Sequence, residues 1–126
     1  MTDGPPDLAE RLMNYAARIV KTVEALPKSL VGRRIGDQLL RSGTAVGALY
    51  EEARGAESRN DFCHKLQIAL KELRESNYWL RLLIKTGTLP GDRLADLVSE
   101  SEQLRAILSK AVAKTKGTDK PRDRVP

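Results

Sequence analysis

One segment of this chain, from Gln38 to Leu83, constrains the fold more than any other. It contains two strongly periodic helical patterns that meet at a short Gly55-Ala56-Glu57 hinge. Small residues line the first pattern, and apolar residues occupy more than one face of the second. Helices with such surfaces must pack closely against other helices, so the segment predicts a multi-helix core to which another copy of the chain contributes. It contains no recognisable set of catalytic groups.

The size and composition of the chain suit one soluble, helix-rich domain. The 126 residues are 40% hydrophobic and 31% charged, which argues against disorder. Aromatic residues make up only 4%, so the core must consist mainly of Leu, Ile, Val and Ala. Residues 110–126 contain six basic residues and two acids and so carry +4 of the net charge of +5, which is compatible with an acidic partner such as nucleic acid.

Cysteine usage and the N-terminal sequence indicate a cytoplasmic protein. Cys63 is the single cysteine, so no disulfide can form within the chain. The first residues lack the basic start and apolar run of a signal peptide. No apolar stretch is long enough to cross a bilayer, so we expect no membrane association.

Four amphipathic patterns, separated by Pro27, Gly55 and Gly87, predict the architecture. We expect an all-α, antiparallel up-and-down four-helix bundle, because the connections are short and no strand pattern is present. The predicted organisation is a flexible N-terminus at 1–6, the bundle at 7–113 and a basic disordered tail at 114–126.

Two glycines of the second helical pattern predict close helix packing. Gly43 and Gly47 lie four residues apart, among other small residues, so another backbone can approach them closely. Each glycine weakens the helix by about 1 kcal/mol relative to Ala, so packing must hold it together. The alternative is a break between two short helices.

The third pattern carries apolar residues beyond its main stripe. We predict that this second face forms the contact between subunits of a homo-oligomer; its residues are Ile68, Trp79, Leu82 and Leu83. Asn77 lies on the main stripe, where a hydrogen-bonded amide would fix the register between helices.

A row of basic residues on the third helix is the candidate binding site. At the angular step of a helix one outer face collects five side chains: Lys71, Arg74, Tyr78, Arg81 and Lys85. The row extends over about 21 Å, long enough to follow several phosphates, and Tyr78 can stack on an unpaired base. Four cations of the tail are further candidates: Lys114, Lys116, Lys120 and Arg122. The alternative is a solvated basic face, with Tyr78 filling a packing groove.

Metal-dependent chemistry has little support in the sequence. Cys63 and His64 are neighbours on one helix and therefore point about 100° apart. A di-iron bundle needs two Glu-x-x-His elements, whereas this chain has one Asp61-x-x-His64 and no second histidine. We therefore expect no metal and no cofactor.

Acidic residues offer a weak alternative, a magnesium-dependent nucleotide hydrolase. The candidate carboxylates are those of Glu51, Glu52, Glu72 and Glu75. Glu75 can instead pair with Lys71, four residues away on the same helix. For Arg33, Arg34 and Arg41 we expect interhelical pairing with acids such as Glu52 or Glu72.

Many unlike residues of this segment agree in order and spacing with a known family. The chain resembles the four-helix bundle protein family, also called large-subunit rRNA intervening-sequence proteins. The resemblance rests on the run QLLRSGTAVGA at 38–48, then Glu52-Ala53, AESR at 56–59, Asp61-Phe62, HKL at 64–66, IALKE at 68–72 and YWL at 78–80.

The resemblance implies a homopentamer of four-helix bundles without enzymatic activity. A related branch serves diversity-generating retroelements, in which a basic pentamer binds nucleic acid and a reverse transcriptase. Leu49 departs from the family pattern, which has an Asn there, so any role that depends on that amide is in doubt.

The favoured hypothesis is therefore a non-enzymatic homo-oligomeric scaffold that binds RNA, DNA or a nucleoprotein partner through repeated basic surface. A reverse transcriptase or another protein is a further candidate partner. The alternatives are a protein-interaction module without a nucleic-acid role, which presents a surface to one protein partner, and the metal-dependent nucleotide hydrolase.

Overall fold

The computed structural model describes residues 7–117, and every regular element in that part of the chain is an α-helix. The predicted all-α class is therefore confirmed there. The helices are α1 (Leu8–Glu24), α2 (Leu30–Arg54), α3 (Arg59–Lys85) and α4 (Gly91–Lys116). The predicted flexible N-terminus at 1–6 and residues 118–126 of the predicted tail lie outside the described residues.

The helices form a four-helix bundle in which each helix packs against its neighbours in the chain and α4 also packs against α1. Cross-helix contacts establish the antiparallel directions. Lys65, near the start of α3, pairs with Glu52, near the end of α2, at 2.9 Å. Arg59, the first residue of α3, donates to the carbonyl of Thr115 in the last turn of α4. The topology is up-and-down, as predicted from the short connections.

Local signals at the helix ends explain where the elements begin. The Ser29 hydroxyl accepts the N–H of Gly32 at 3.1 Å and starts α2. The Ser58 hydroxyl does the same for Asp61 at 3.0 Å and starts α3. Gly87 follows α3 with φ +71°, a conformation that favours glycine and lets the chain turn toward α4.

Helix α4 extends three residues beyond the predicted end of the bundle at 113. The Arg59 guanidinium explains this, because its Nε donates to the Thr115 carbonyl at 2.7 Å and its Nη2 to the Lys114 carbonyl at 3.2 Å. A cation at a helix C-terminus satisfies carbonyls that have no partner within the helix. Gly117 then ends α4 with φ 67°.

The small-residue surface of α2 lies against α1. Helix α2 is one continuous element of 25 residues, so the alternative of two short helices is wrong. A Cβ atom at Gly43 would lie only 2.7 Å from Cγ1 of Ile19. At Gly47 the nearest neighbour of such an atom would be Cβ of Leu12, at an ordinary 3.5 Å. Gly43 therefore has no room for a side chain against Ile19, whereas Gly47 has room for a methyl group.

The core is mainly aliphatic, with a polar centre that the sequence pattern did not predict. Its fully buried side chains include Leu8, Leu12, Ile19, Leu39, Leu66, Leu73, Leu80 and Leu83. Among them the Tyr15 hydroxyl lies 2.8 Å from Oγ of Ser76. Ser76 already donates to the Leu73 carbonyl, so Tyr15 is the donor of this bond. Burial raises the pKa of Tyr15 to about 12, and its hydrogen bonds to Ser76 and Ser101 oppose that shift.

Candidate nucleic-acid interface

The basic row on α3 lies at the surface along its whole length. All five side chains of the row, Lys71, Arg74, Tyr78, Arg81 and Lys85, are exposed. The Tyr78 side chain is 50% exposed, and its ring meets Trp79 edge to face, with 5.1 Å between the ring centroids. Half of the Tyr78 side chain is therefore accessible to a ligand.

The cations of this row have no acidic partner among residues 7–117. No ion pair within 4.0 Å involves Lys71, Arg74, Arg81 or Lys85 in that range. Positive charges that neither a carboxylate nor burial neutralises are free to attract an anion.

The acids next to the row are bound by α2 instead. Arg41 binds Glu72 at 2.9 Å and also binds Glu75, so the predicted interhelical pairing of Arg41 is confirmed. The expected pair between Glu75 and Lys71 is wrong, because Glu75 accepts the Nε1–H of Trp79 at 2.9 Å in addition to the Arg41 bond. The Trp79 bond first, and Arg41 second, lower the pKa of Glu75. Both bonds go to Oε2 of Glu75, and its Oε1 has no hydrogen-bond partner among residues 7–117.

Helix α4 adds an arginine that the row along α3 does not include. A surface depression of about 480 Å³ lies between the two helices. Arg105 lines it from α4, and Arg74, Glu75, Asn77 and Arg81 line it from α3. Sequence periodicity finds faces within one helix, whereas this arginine joins the site only through the pairing of α3 with α4.

Asn77 connects the depression to the core. Its Nδ2 donates to Oγ of Ser101 on α4 at 2.7 Å, and its Oδ1 accepts from Nε of Arg81 at 2.7 Å. The predicted role of Asn77 in joining helices is confirmed by the first bond. The second bond, which orients Arg81, had no sequence signal beyond the four-residue spacing.

The cations predicted in the tail divide into two groups. Lys114 and Lys116 lie exposed in the last turn of α4. Lys120 and Arg122 lie outside the described residues.

A family model described as 23S rRNA-intervening sequence protein matches residues 7–110. The chain belongs to this family. The bundle also resembles a crystal structure of a protein of unknown function from the S23 ribosomal protein family of Bacteroides thetaiotaomicron VPI-5482. The two are 35% identical with a TM-score of 0.75, and the match covers 83% of this chain and 97% of the other. A comparison with curated proteins finds no match.

The exposed apolar face of α3 is smaller in the structure than the sequence predicts. Leu83 is 0% exposed within its own bundle, so it does not belong to an outer contact surface. The helical step alone cannot reveal this, because α3 packs against both α2 and α4 and therefore buries two stripes. Ile68, Trp79 and Leu82 remain partly exposed.

The side chains that could bind a metal ion do not form a metal site within residues 7–117. No three His, Cys, Asp or Glu side chains come together there in a way that suits a metal ion. Cys63 is buried, whereas His64 is exposed. No helix in that range has both the length and the apolar character of a membrane span.

Proposed function

We propose that this protein binds the backbone of RNA or DNA through the basic row on α3, as a non-enzymatic homo-oligomeric scaffold. The observation that carries the proposal is the set of exposed cations without acidic partners in residues 7–117, beside glutamates that Arg41 already binds. Membership of the 23S rRNA-intervening sequence protein family is consistent with such a ligand.

The geometry of the row suits a phosphate backbone. The row spans about 21 Å and carries four cations, so it can contact several phosphates of one strand. One arginine guanidinium can donate two parallel hydrogen bonds to a phosphate, whereas a lysine contributes its charge without a fixed geometry. Tyr78, half exposed in the middle of the row, offers a stacking surface to an unpaired base.

Salt-dependent binding tests this proposal. We expect a labelled single strand to bind in low salt and to weaken strongly in the triple variant Lys71→Ala, Arg74→Ala, Arg81→Ala. The salt slope, which is the slope of log binding constant against log salt concentration, should become less steep by about 0.7 for each phosphate that the variant no longer neutralises. Fluorescence anisotropy at several salt concentrations measures both quantities.

A matched control variant removes the same charge from the surface between α1 and α4. Arg18, Lys21 and Arg93 line a depression of about 270 Å³ between α1 and α4. Their triple alanine variant should bind almost as the unchanged protein does. Equal weakening in both variants would show that net charge, rather than the row on α3, drives binding, and absence of binding in low salt would refute the proposal.

Self-association is the second part of the proposal, and the family resemblance implies a pentamer. The partly exposed apolar side chains Ile68, Trp79 and Leu82 support it as the remaining contact surface. Repeated copies of the row would raise the local concentration of binding groups, so weak contacts would act together.

Light scattering at several protein concentrations tests the assembly. Leu82→Asp should reduce the measured mass, whereas Leu30→Asp, at a position 60% exposed on α2, should not. A monomeric mass for the unchanged protein at high concentration would refute the homo-oligomeric scaffold. The binding row on α3 is tested independently by the salt-dependent binding experiment.

A further inference from the structure

The depression between α3 and α4 brings three arginines together around a single acid, Glu75. Arg74 and Arg81 lie on one wall and Arg105 on the other. Oε2 of Glu75 accepts from Arg41 on α2 and from Nε1 of Trp79 on α3, so the three arginines outnumber the one carboxylate that lines the recess. Like charges around one recess concentrate positive potential there, so an anion is favoured inside it more than along the open row.

One of these arginines is held in place by a chain of hydrogen bonds. Ser101 donates its proton to the Val98 carbonyl at 2.7 Å, so it can only accept from Asn77. The Asn77 amide is thereby oriented with Nδ2 toward Ser101 and Oδ1 toward Nε of Arg81. Because Ser101 is 1% exposed, the chain is anchored in the core.

The anchored arginine keeps its most useful donors. Arg81 uses only Nε for Asn77, and both Nη groups have no hydrogen-bond partner among residues 7–117. A guanidinium whose orientation is fixed in advance loses less entropy when it binds a phosphate than a free one does.

We propose that a single nucleic-acid strand crosses from α3 to α4 at this depression, with one phosphodiester group bound between Arg81 and Arg105. Arg74 adds charge at the same recess, and Asn77 acts as a positioning residue through Arg81. The inference rests on the proposed function and changes it in one respect. The strand leaves the α3 row and continues onto α4, so Arg105 contributes more than Lys85 at the end of the row.

An unpaired strand fits this recess better than a duplex. A strand that enters a depression between two helices must bend locally, and an unpaired strand bends without breaking base pairs. Tyr78 lies between Arg74 and Arg81 along α3, half exposed. A base next to the bound phosphate can therefore stack on its ring.

The decisive comparison is Arg105→Ala against Arg93→Ala. Both changes remove one exposed arginine from α4, but Arg93 lines the seam with α1. With a labelled single-stranded RNA of about 20 nucleotides, Arg105→Ala should weaken binding about three- to tenfold and lower the salt slope by about 0.7. Arg93→Ala should change neither quantity.

The positioning role of Asn77 has its own readout. Asn77→Ala should weaken binding about threefold with an unchanged salt slope, because the same number of phosphates stays neutralised. In an Arg81→Ala background the same change should have no further effect, since the arginine that it orients is absent. An additive effect in that background would show that Asn77 acts through general stability and would overturn its role.

The outcomes separate this inference from the proposed function. If the triple variant of the α3 row abolishes binding while Arg105→Ala equals Arg93→Ala, the strand follows α3 and the crossing is refuted. If the unchanged protein binds no oligonucleotide, both proposals fail. Competition by inorganic phosphate or by polyglutamate as strong as that by unlabelled RNA, at equal charge concentration, would identify a general anion site and overturn the assignment to nucleic acid.

Discussion

Replacing Gly43 and Gly47 by Ala, in separate variants, should change the stability of the bundle in opposite directions. Both glycines lie inside α2 and face α1, so each gains the same helix propensity on substitution, about 1 kcal/mol. They differ in the space available. A new methyl group at Gly43 would lie 2.7 Å from Cγ1 and 2.8 Å from Cγ2 of Ile19, whereas at Gly47 the nearest atom is 3.5 Å away.

The magnitude depends on how far Ile19 can move. Its two γ-carbons branch at Cβ and are therefore stiff, and its side chain is 0% exposed in the core. Overpacking of this kind costs about 1–3 kcal/mol, which exceeds the propensity gain, so Gly43→Ala should destabilise the protein by about 1 kcal/mol. Gly47→Ala should stabilise it by about 0.5–1 kcal/mol, because nothing opposes the gain.

Urea unfolding measures both effects, with Trp79 as the single tryptophan reporter. Protein concentration must be held constant, since self-association would shift the midpoint. In an Ile19→Ala background the methyl group at position 43 finds room, and Gly43→Ala should then be neutral or stabilising. Destabilisation of similar size at both glycines would refute the reasoning.

Three further outcomes are expected. Tyr15→Phe should flatten the decline in folding stability at alkaline pH. Burial raises the pKa of Tyr15 to about 12 from 10.0, so the stability that protonated Tyr15 contributes is complete below about pH 10 and is lost as the pH rises toward 12. Urea unfolding at several pH values measures this decline. Hydrogen bonds from Trp79 and Arg41 lower the pKa of Glu75, so their stabilisation is present above pH 4.5 and disappears on acidification; Arg41→Ala should move the acid transition of Trp79 fluorescence to higher pH. Arg59→Ala should destabilise the protein by about 1 kcal/mol and speed amide hydrogen exchange in the last turn of α4, whose final carbonyls it caps.

Results that would contradict these expectations are equally specific. An alkaline profile unchanged by Tyr15→Phe would mean that another group controls stability there. An acid transition at the same pH in Arg41→Ala would show that the Trp79 hydrogen bond alone holds Glu75. Exchange in the last turn of α4 that is equally fast in the unchanged protein would mean that Arg59 does not cap it.

Features that depend on neighbours along the chain were predictable from the sequence. Ser29 and Ser58 cap helices because the donors they satisfy lie three residues away. The apolar stripes repeat at three and four residues, so the number and type of the helices follow from local order. The exposed face of α3 follows from the same periodicity.

Features that depend on which helices become neighbours were not predictable. Glu75 binds Arg41, 34 residues away, rather than Lys71 on its own helix. Leu83 is buried because α3 contacts two helices, which a single helical projection does not show. Arg105 joins the α3 surface only in the folded bundle. Each case needs the relative rotation and axial position of two helices, which short-range patterns leave open.

The polar centre of the bundle restricts how its sequence can drift. Leucine stripes alone would tolerate sliding of one helix by a turn, about 5.4 Å, with little change in buried apolar area. Such a slide would separate Tyr15 from Ser76 and Asn77 from Ser101, and each stranded buried group would cost about 1–3 kcal/mol. Aliphatic core positions can therefore exchange one by one among Leu, Ile and Met, whereas these four positions should be replaced together or kept together as lineages diverge.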